Sequence, residues 1–239
     1  MSEYSEIHKK RKTSKNYNFR FDSPTLSVMN ELERRIIKEL SSEFKPNNVL
    51  DLACGTGRVT KWLLEFNSCK ISGWDNSQQM MDESHLIGSR VELKLVDLKD
   101  IKQDLLKERF DFVTCFRFFA NAERDLKLIT FAILSEIVQR DGVVILNNHK
   151  NRTSSGAFAS RIRNSFKNSW QSNKELKDMW RTFGFDCIQS YSLGVTPQDE
   201  RKFFALENIS KRIELWNFHV SGFHRFGINQ IYVLQRRAK

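Results

Sequence analysis

The sequence has little proline, few cysteines and no long apolar run, and each shortage excludes a class of protein. No stretch of about 18 apolar residues occurs, so we expect no membrane-spanning helix. The first 21 residues, MSEYSEIHKKRKTSKNYNFRF, lack the apolar core of a signal peptide. With three prolines, 40% hydrophobic and 28% charged residues among 239, the composition is that of a globular protein.

Only four cysteines are present, at positions 54, 69, 115 and 187, with no CxxC pair and no histidine cluster nearby. Cysteines scattered in this way favour free thiols in a reducing compartment over disulfides or a zinc site. We therefore predict a cytoplasmic protein and assign no metal ligand.

The net charge of +10 comes from two segments. Residues 1–20 hold six Lys/Arg against two acids, residues 150–181 hold eight against two, and the remainder is balanced. We predict that residues 1–20 are a flexible basic segment and that residues 21–239 form a single domain. The second basic segment is either a solvated surface or one that faces an anionic partner.

Alternating strand and helix signals predict a doubly wound α/β fold with a mostly parallel, seven-stranded sheet. Ser23 and Pro24 have the residue types of a helix cap and a first helical position. The alternation breaks after residue 148, which predicts inserts at 150–184 and 194–224 and an antiparallel final strand. The predicted strands are 49–52, 70–74, 91–96, 110–116, 142–148, 185–193 and 228–237, and the predicted helices include 57–66, 77–87, 101–106, 125–138 and 199–216.

The loop after the first predicted strand, in NNVLDLACGTGRVT at 47–60, has two glycines within three residues. Such a loop lies at the carboxyl edge of a parallel sheet, where α/β proteins bind ligands. A phosphate loop of the GxxxxGK[ST] type is excluded, because no Lys-Ser/Thr pair follows. The dinucleotide pattern GxGxxG fits poorly because Thr60 replaces the third glycine. Asp51, at the strand end, suits a ligand that carries a positive group.

Aspartates also end the next two predicted strands. Asp75 follows KISGW, and its two carboxylate oxygens can accept both hydroxyls of a ribose. Asp97 follows LKLV, where its side chain and backbone can contact an adenine edge, although a helix-capping role is the alternative.

These strand ends, taken in order, resemble the class I S-adenosylmethionine-dependent methyltransferases. The resemblance runs from about residue 49 to residue 148. VLDLACGTG is similar to the first motif of that family, with Ala53 where many members have a glycine. GWDNS resembles the ribose motif, VDLKD the adenine motif, and FDFVTCFRFF the strand before the catalytic edge.

The resemblance implies that S-adenosylmethionine is the cofactor and gives each motif residue a role. Asp51 would orient the ammonium group, and Asp75 would bind the ribose. The other implied cofactor-binding residues are Ala53, Cys54, Gly55 and Gly57 in the loop beside the methionine portion, Asn76 and Met80 beside the adenosine, Asp97 and Leu98 at the adenine, and Phe116 near the methyl donor.

Arg117, in the segment FRFFANAERD, is the first candidate on the acceptor side. A charge at an inner strand end requires a partner, which we expect to be the cofactor carboxylate, Asp75, Asp97 or the substrate. His149, in LNNHKN, is the candidate base if the acceptor is a hydroxyl, and a histidine bonded to loop backbone is the alternative. Weaker candidates are His219 and His224.

The basic insert is predicted to cover the acceptor, since segments added there in the resembled family commonly do so. Its aromatic residues recur at near-helical spacing, so they are expected to pack inward while the cations face the cleft. The excess positive charge then favours an anionic acceptor. The residues are Arg152, Arg161, Arg163 and Lys167, with Phe158, Phe166 and Trp170.

Methyl transfer to a small, anionic or sugar-linked acceptor is the favoured function, and RFFANAE with LNNHKN is loosely similar to methyltransferases of bacterial surface-sugar synthesis. Two common nucleic-acid patterns are missing: an N/D-P-P-Y/F run after strand four and a Pro-Cys nucleophile. RNA, DNA and protein acceptors stay open as alternatives. A non-catalytic cofactor-binding domain also stays open.

Overall fold

The structure is a computed structural model that describes residues 18–84, 86, 88, 90–162, 171–196, 198, 202–203, 206–217 and 227–237. The strands are β1 (Val49–Leu52), β2 (Ile71–Asp75), β3 (Val91–Leu95), β4 (Phe110–Cys115), β5 (Val138–Asn148), β6 (Phe185–Leu193) and β7 (Asn229–Arg236). The helices are α1 (Pro24–Phe44), α2 (Arg58–Phe66), α3 (Gln78–Asp82), α4 (Arg124–Ile137), α5 (Ser155–Ile162), α6 (Asn173–Thr182) and α7 (Glu207–Asn217).

All seven strands form one sheet in the order β3-β2-β1-β4-β5-β7-β6, as the alternating pattern predicts. The first five strands pair in parallel, whereas β7 runs antiparallel to both β5 and β6. The doubly wound, seven-stranded fold and the antiparallel last strand are therefore confirmed.

The sheet is covered on both faces because the side chains of its central strands alternate between two apolar cores. On β4, Phe112 belongs to the core beneath α1 and α2, and Val113 belongs to the core beneath α4 and α6. Phe119 and Phe131 stack in the second core with ring centroids 4.7 Å apart. Burial of both strand faces explains the apolar run VVIL in β5 and the largely apolar sequences of β1 and β4.

Helix α1 begins where the sequence predicts. The Ser23 side chain accepts a hydrogen bond from the Leu26 backbone N–H at 3.3 Å, and Pro24 occupies the first turn. The helix predicted at 101–106 is wrong, because short 3-10 turns at Leu98–Asp100 and Leu105–Lys107 stand there instead. Helix α3 is shorter than its predicted range of 77–87.

The antiparallel pairing of β7 brings both inserts to the carboxyl edge of the sheet. Leu193, at the end of β6, pairs with Asn229, and Gln230 pairs with Asn148 at the end of β5. The segments that follow β5 and β6 therefore leave the sheet at the edge that also carries the glycine loop.

A buried carboxylate fixes the second insert. Glu214 on α7 is 1% exposed and accepts hydrogen bonds from the backbone N–H groups of Gly194 and Thr196, each at 2.8 Å. It also accepts the Thr196 hydroxyl at 2.6 Å. Helix α7 is thus attached to the segment after β6 through charge-assisted hydrogen bonds.

Three further observations concern the described residues. No helix among them is long and apolar enough to cross a membrane. No cluster of three or more acidic, histidine or cysteine side chains there could hold a metal ion. All four cysteines lie in the described ranges and are free thiols.

Glu214→Gln is expected to lower the free energy of unfolding by about 2–3 kcal/mol, because one of two buried N–H donors then faces an amide NH2. Urea unfolding measures the change. Glu207→Gln is the matched control, since Glu207 lies on the same helix in an exposed pair with Lys211 and should change stability by less than about 0.5 kcal/mol. Equal effects of the two substitutions would contradict the assigned role of Glu214.

Candidate active site

A cleft of about 1140 Å³, measured with its open mouth, lies at the carboxyl edge of β1, β2, β3 and β4. Eleven of the residues predicted from the sequence line it, whereas Gly57 and His149 do not. The eleven are Asp51, Ala53, Cys54, Gly55, Asp75, Asn76, Met80, Asp97, Leu98, Phe116 and Arg117. Arg58, which also lines the cleft, was not predicted.

The loop after β1 contains three residues with left-handed backbone conformation. Ala53, Gly55 and Gly57 have φ values of 58°, 56° and 73°. This conformation explains why a glycine is common at the position of Ala53 in the resembled family, since a Cβ is strained there. Leu86 lies so close to Gly57 that an added Cβ would be 2.4 Å from its Cδ1 atom. Its left-handed conformation and the contact with Leu86 therefore give Gly57 a structural role in the turn into α2.

Asp51 is a buried carboxylate at the base of the cleft. One oxygen accepts the Thr60 hydroxyl at 2.6 Å, and the other accepts the Thr114 hydroxyl at 2.8 Å. Burial nevertheless raises the pKa of Asp51 to about 6. A positively charged ligand group would offset this cost of burying the anion.

Asp75 binds the glycine loop through the backbone. Its Oδ2 atom accepts the Gly55 N–H at 2.8 Å and its Oδ1 atom accepts the Ser77 N–H at 2.9 Å. Each oxygen keeps a second lone pair that can accept a ribose hydroxyl. Burial raises the pKa of Asp75 to about 6, against the opposing effect of these hydrogen bonds.

Asp97 has a local structural role in addition to its place on the cleft. Its Oδ1 atom accepts the Lys99 N–H at 3.0 Å and caps the 3-10 turn that begins at Leu98. The capping alternative considered from the sequence is therefore present together with the cleft position.

Arg117 is buried in a left-handed backbone conformation, with φ of 58°. Its N–H donates to Asn147 Oδ1 at 2.6 Å, and its carbonyl accepts from Asn121 Nδ2 at 2.7 Å. The guanidinium lies 4.0 Å from a carboxylate oxygen of Glu33. Glu33 was not among the partners that the sequence predicted for Arg117.

Glu33, on α1, is fully buried and connects the two cleft arginines. Its Oε2 atom accepts from Arg58 Nη1 at 2.7 Å, and its Oε1 atom accepts from Asn229 Nδ2 at 2.7 Å. Both guanidinium groups contact the Phe21 ring, whose centroid is 4.5 Å from Arg58 Cζ and 5.0 Å from Arg117 Cζ. Such cation–π contacts are strongest when water is excluded. We call Glu33, Arg58, Arg117 and Phe21 the arginine cluster.

His149 is buried behind Asn121 rather than in the cleft. The amide orientation of Asn121 is fixed, because its Nδ2 atom donates to the Arg117 carbonyl and its Oδ1 atom accepts from Lys150. That same Nδ2 lies 3.4 Å from His149 Nε2, so Nε2 is the acceptor and the proton is on Nδ1. Nδ1 is buried and has no hydrogen-bond partner among the described residues.

The environment of His149 makes it a weak base. Burial, followed by the positive charges of Arg117, Lys150, Arg20 and Arg58, holds its pKa well below the ordinary histidine value. The ring is therefore neutral at neutral pH, but its basic nitrogen already accepts a contact from Asn121. This arrangement disfavours the predicted proton acceptance.

Much of the predicted acceptor cover lies outside the described residues: His219, His224, Arg163, Lys167, Phe166, Trp170 and the side chain of Arg161. Arg152 is exposed. Phe158 is 62% exposed, so the prediction that it packs inward is wrong.

Residues 49–142, which include the glycine loop and the strand ends described above, match a family model described as a methyltransferase domain. These residues are an S-adenosylmethionine-dependent methyltransferase domain. Among proteins of curated function, none matches the sequence.

Solved structures share the fold of this methyltransferase. Magnesium protoporphyrin IX methyltransferase (ChlM) from Synechocystis PCC 6803, with bound S-adenosylmethionine, has a TM-score of 0.60 at 11% identity, covering 99% of each chain. A TehB-like methyltransferase from Corynebacterium glutamicum has a TM-score of 0.59 at 14% identity, covering 95% of this chain and 100% of that one. An S-adenosylmethionine-dependent methyltransferase from Clostridium acetobutylicum has a TM-score of 0.58 at 14% identity, covering 87% of this chain and 92% of that one.

The cleft fits S-adenosylmethionine, the cofactor of this methyltransferase. Two carboxylates whose charge is disfavoured by burial suit a ligand with an ammonium and a sulfonium group. Met80, Val96 and Leu98 provide apolar surface beside Asp75 for a planar base. When bound, the cofactor supplies a methyl group on a positively charged sulfur.

Asp51→Asn is expected to stabilise the unliganded protein near pH 7.5, by roughly 1–3 kcal/mol, and to have little effect near pH 4. The folded-state pKa of about 6 lies above the ordinary 3.8, so wild type loses stability from this group as the pH rises through about 6. Urea unfolding at both pH values measures the difference. The exposed Asp97→Asn is the control, and an equal effect of both substitutions would contradict the prediction.

Proposed function

We propose that the protein transfers the methyl group of S-adenosylmethionine to an oxygen or nitrogen atom of a small acceptor that is anionic or sugar-linked. We propose further that it acts in the cytoplasm. The observation that carries this proposal is the arginine cluster on the cleft. Arg58 and Arg117 both line the cleft, as does Phe116, whereas the acid of the cluster, Glu33, is fully buried. An anion that enters the cleft there meets positive charge.

On this proposal, the described side chains divide the cofactor among them. Asp51 faces the ammonium group and Asp75 the ribose, while Asp97 and Leu98 border the adenine. Gly55, with left-handed φ and Met80 3.4 Å from the position of an added Cβ, leaves room for close approach of a ligand to the loop. The remaining assigned contacts are Ala53, Cys54, Asn76, Met80 and Phe116.

The contribution of the chain to the reaction is alignment and exclusion of water. Displacement at a methyl carbon needs donor and acceptor in line, and it needs a base only when the acceptor carries a proton. Arg117 is proposed to orient the acceptor. For His149 to act as a base on a hydroxyl, Asn121 would first have to release Nε2.

The acceptor class is tested by transfer of a radiolabelled methyl group to three fractions of a cell extract: small molecules, RNA and protein. The proposal predicts label in the small-molecule fraction. Label in RNA or protein instead would support the alternatives that the basic segments at 1–20 and 150–181 keep open. Intact cofactor binding without transfer to any fraction would favour a non-catalytic domain.

Asp75→Ala is expected to weaken S-adenosylmethionine binding by about 2–4 kcal/mol, because it removes both proposed ribose acceptors. Calorimetric titration measures the change, with circular dichroism to verify folding. Asp82→Ala is the control, since Asp82 is exposed on α3 and its hydrogen-bond donor among the described residues is Gln78 of the same helix. Wild-type affinity in a folded Asp75→Ala variant would reject the ribose assignment.

A further inference from the structure

The acceptor end of the cleft has a one-sided electrostatic environment. Arg117, Lys150, Arg20 and Arg58 all lie near enough to His149 to disfavour its protonation, and no acid has a comparable opposing effect. The acid of the arginine cluster is committed to Arg58 and Asn229 by hydrogen bonds of 2.7 Å. Positive potential therefore persists where the acceptor is expected.

The same region contains a buried donor that lacks an acceptor. Because Asn121 donates toward His149 Nε2, the proton of the neutral ring is on Nδ1. His149 is 7% exposed, and Nδ1 has no hydrogen-bond partner among the described residues. Buried N–H groups without a partner are rare and costly. His149 does not line the cleft, so its ring serves here as a reporter of charge bound near Arg117.

The described cleft offers no side chain suited to removing a proton from the acceptor. On the proposed function, Asp51 and Asp75 are engaged by the ammonium group and the ribose of the cofactor, and Asp97 caps a turn beside the adenine. His149 Nε2 is occupied by Asn121. An acceptor whose attacking atom is already unprotonated at neutral pH would need none of them.

We propose, on the basis of the methyl-transfer function above, that the acceptor is a carboxylate that is converted to its methyl ester, and that Arg117 orients it with Arg58 beside it. A guanidinium matches the two oxygens of a carboxylate. A carboxylate oxygen lone pair forms the new O–CH3 bond while the S–CH3 bond breaks and its electron pair stays on sulfur. No proton moves, and one positive and one negative charge disappear.

The chemical test uses the base lability of methyl esters. The enzyme is incubated with S-adenosylmethionine labelled in its methyl group and with the low-molecular-weight fraction of a cell extract, and the products are treated with alkali. Carboxyl esters release volatile methanol, whereas methyl ethers, N-methyl groups and methyl phosphodiesters do not. We expect most of the transferred label to be released.

The outcomes separate this inference from the proposed function. Label that is transferred but stable to alkali overturns the carboxylate assignment and leaves small-molecule methyl transfer intact. Absence of transfer to this fraction, with cofactor binding intact, overturns both.

A binding readout tests the residues without turnover. Acetate is titrated into the complex with S-adenosylhomocysteine while the 15N shift of His149 Nδ1 is followed, with acetamide as the uncharged probe. Acetate alone is expected to move the signal in wild type and not in Arg117→Gln. Equal responses to acetate and acetamide, or no response to either, would overturn the assignment.

Kinetics of Arg117→Lys distinguish the acceptor from the cofactor. The variant keeps the charge but loses the two-pronged geometry, so the acceptor KM should rise about tenfold while cofactor Kd changes less than about twofold. Arg237→Gln, in an exposed pair with Asp186 at the opposite edge of the sheet, is the control. A collapse of cofactor affinity would mean that Arg117 binds the cofactor carboxylate, against the proposal. If Arg117→Lys does not fold, the acetate titration of wild type still decides.

Discussion

The hydrogen bonds of Glu33 are the interaction on which the acceptor side of this methyltransferase depends. One buried carboxylate from α1 binds Arg58 at the start of α2 and Asn229 at the start of β7, and it lies within 4.0 Å of Arg117 after β4. Four elements that are distant in sequence therefore share a single anion. Loss of that anion would remove the buried carboxylate that these groups share, a costlier change than replacing the whole set with apolar residues.

The cofactor side of the cleft, in contrast, contains two carboxylates, Asp51 and Asp75. Asp51 and Asp75 are held by hydroxyl and backbone donors, yet burial raises the pKa of both to about 6. The unliganded protein thus retains anions that its own fold does not fully compensate. Active sites commonly sacrifice stability in this way, because the ligand supplies the missing opposite charge.

The sequence was sufficient for the features that arise from local patterns. The order of strands, the cap at Ser23 and the strand-end aspartates depend on periodicity and turn chemistry within a few residues. The hydrogen bonds of Glu33 were missed because its partners Arg58 and Asn229 lie 25 and 196 positions away, and nothing local in the sequence indicates either pairing. His149 was found as a candidate, but the burial that lowers its pKa, and the contributions of Arg20, Arg58 and Arg117, come from segments that are distant in sequence. The 3-10 turns at 98–107 were predicted as a helix because short apolar runs do not distinguish the two.

The contacts of the Phe21 ring with two guanidinium groups connect the beginning of the described chain to two residues that line the cleft. A ligand that moves Arg58 or Arg117 also changes the free energy of their contacts with Phe21. By the same linkage, a change in those contacts alters the affinity for the ligand. A change in the contacts of Phe21, near the start of the described residues, is therefore coupled to the acceptor side of the cleft.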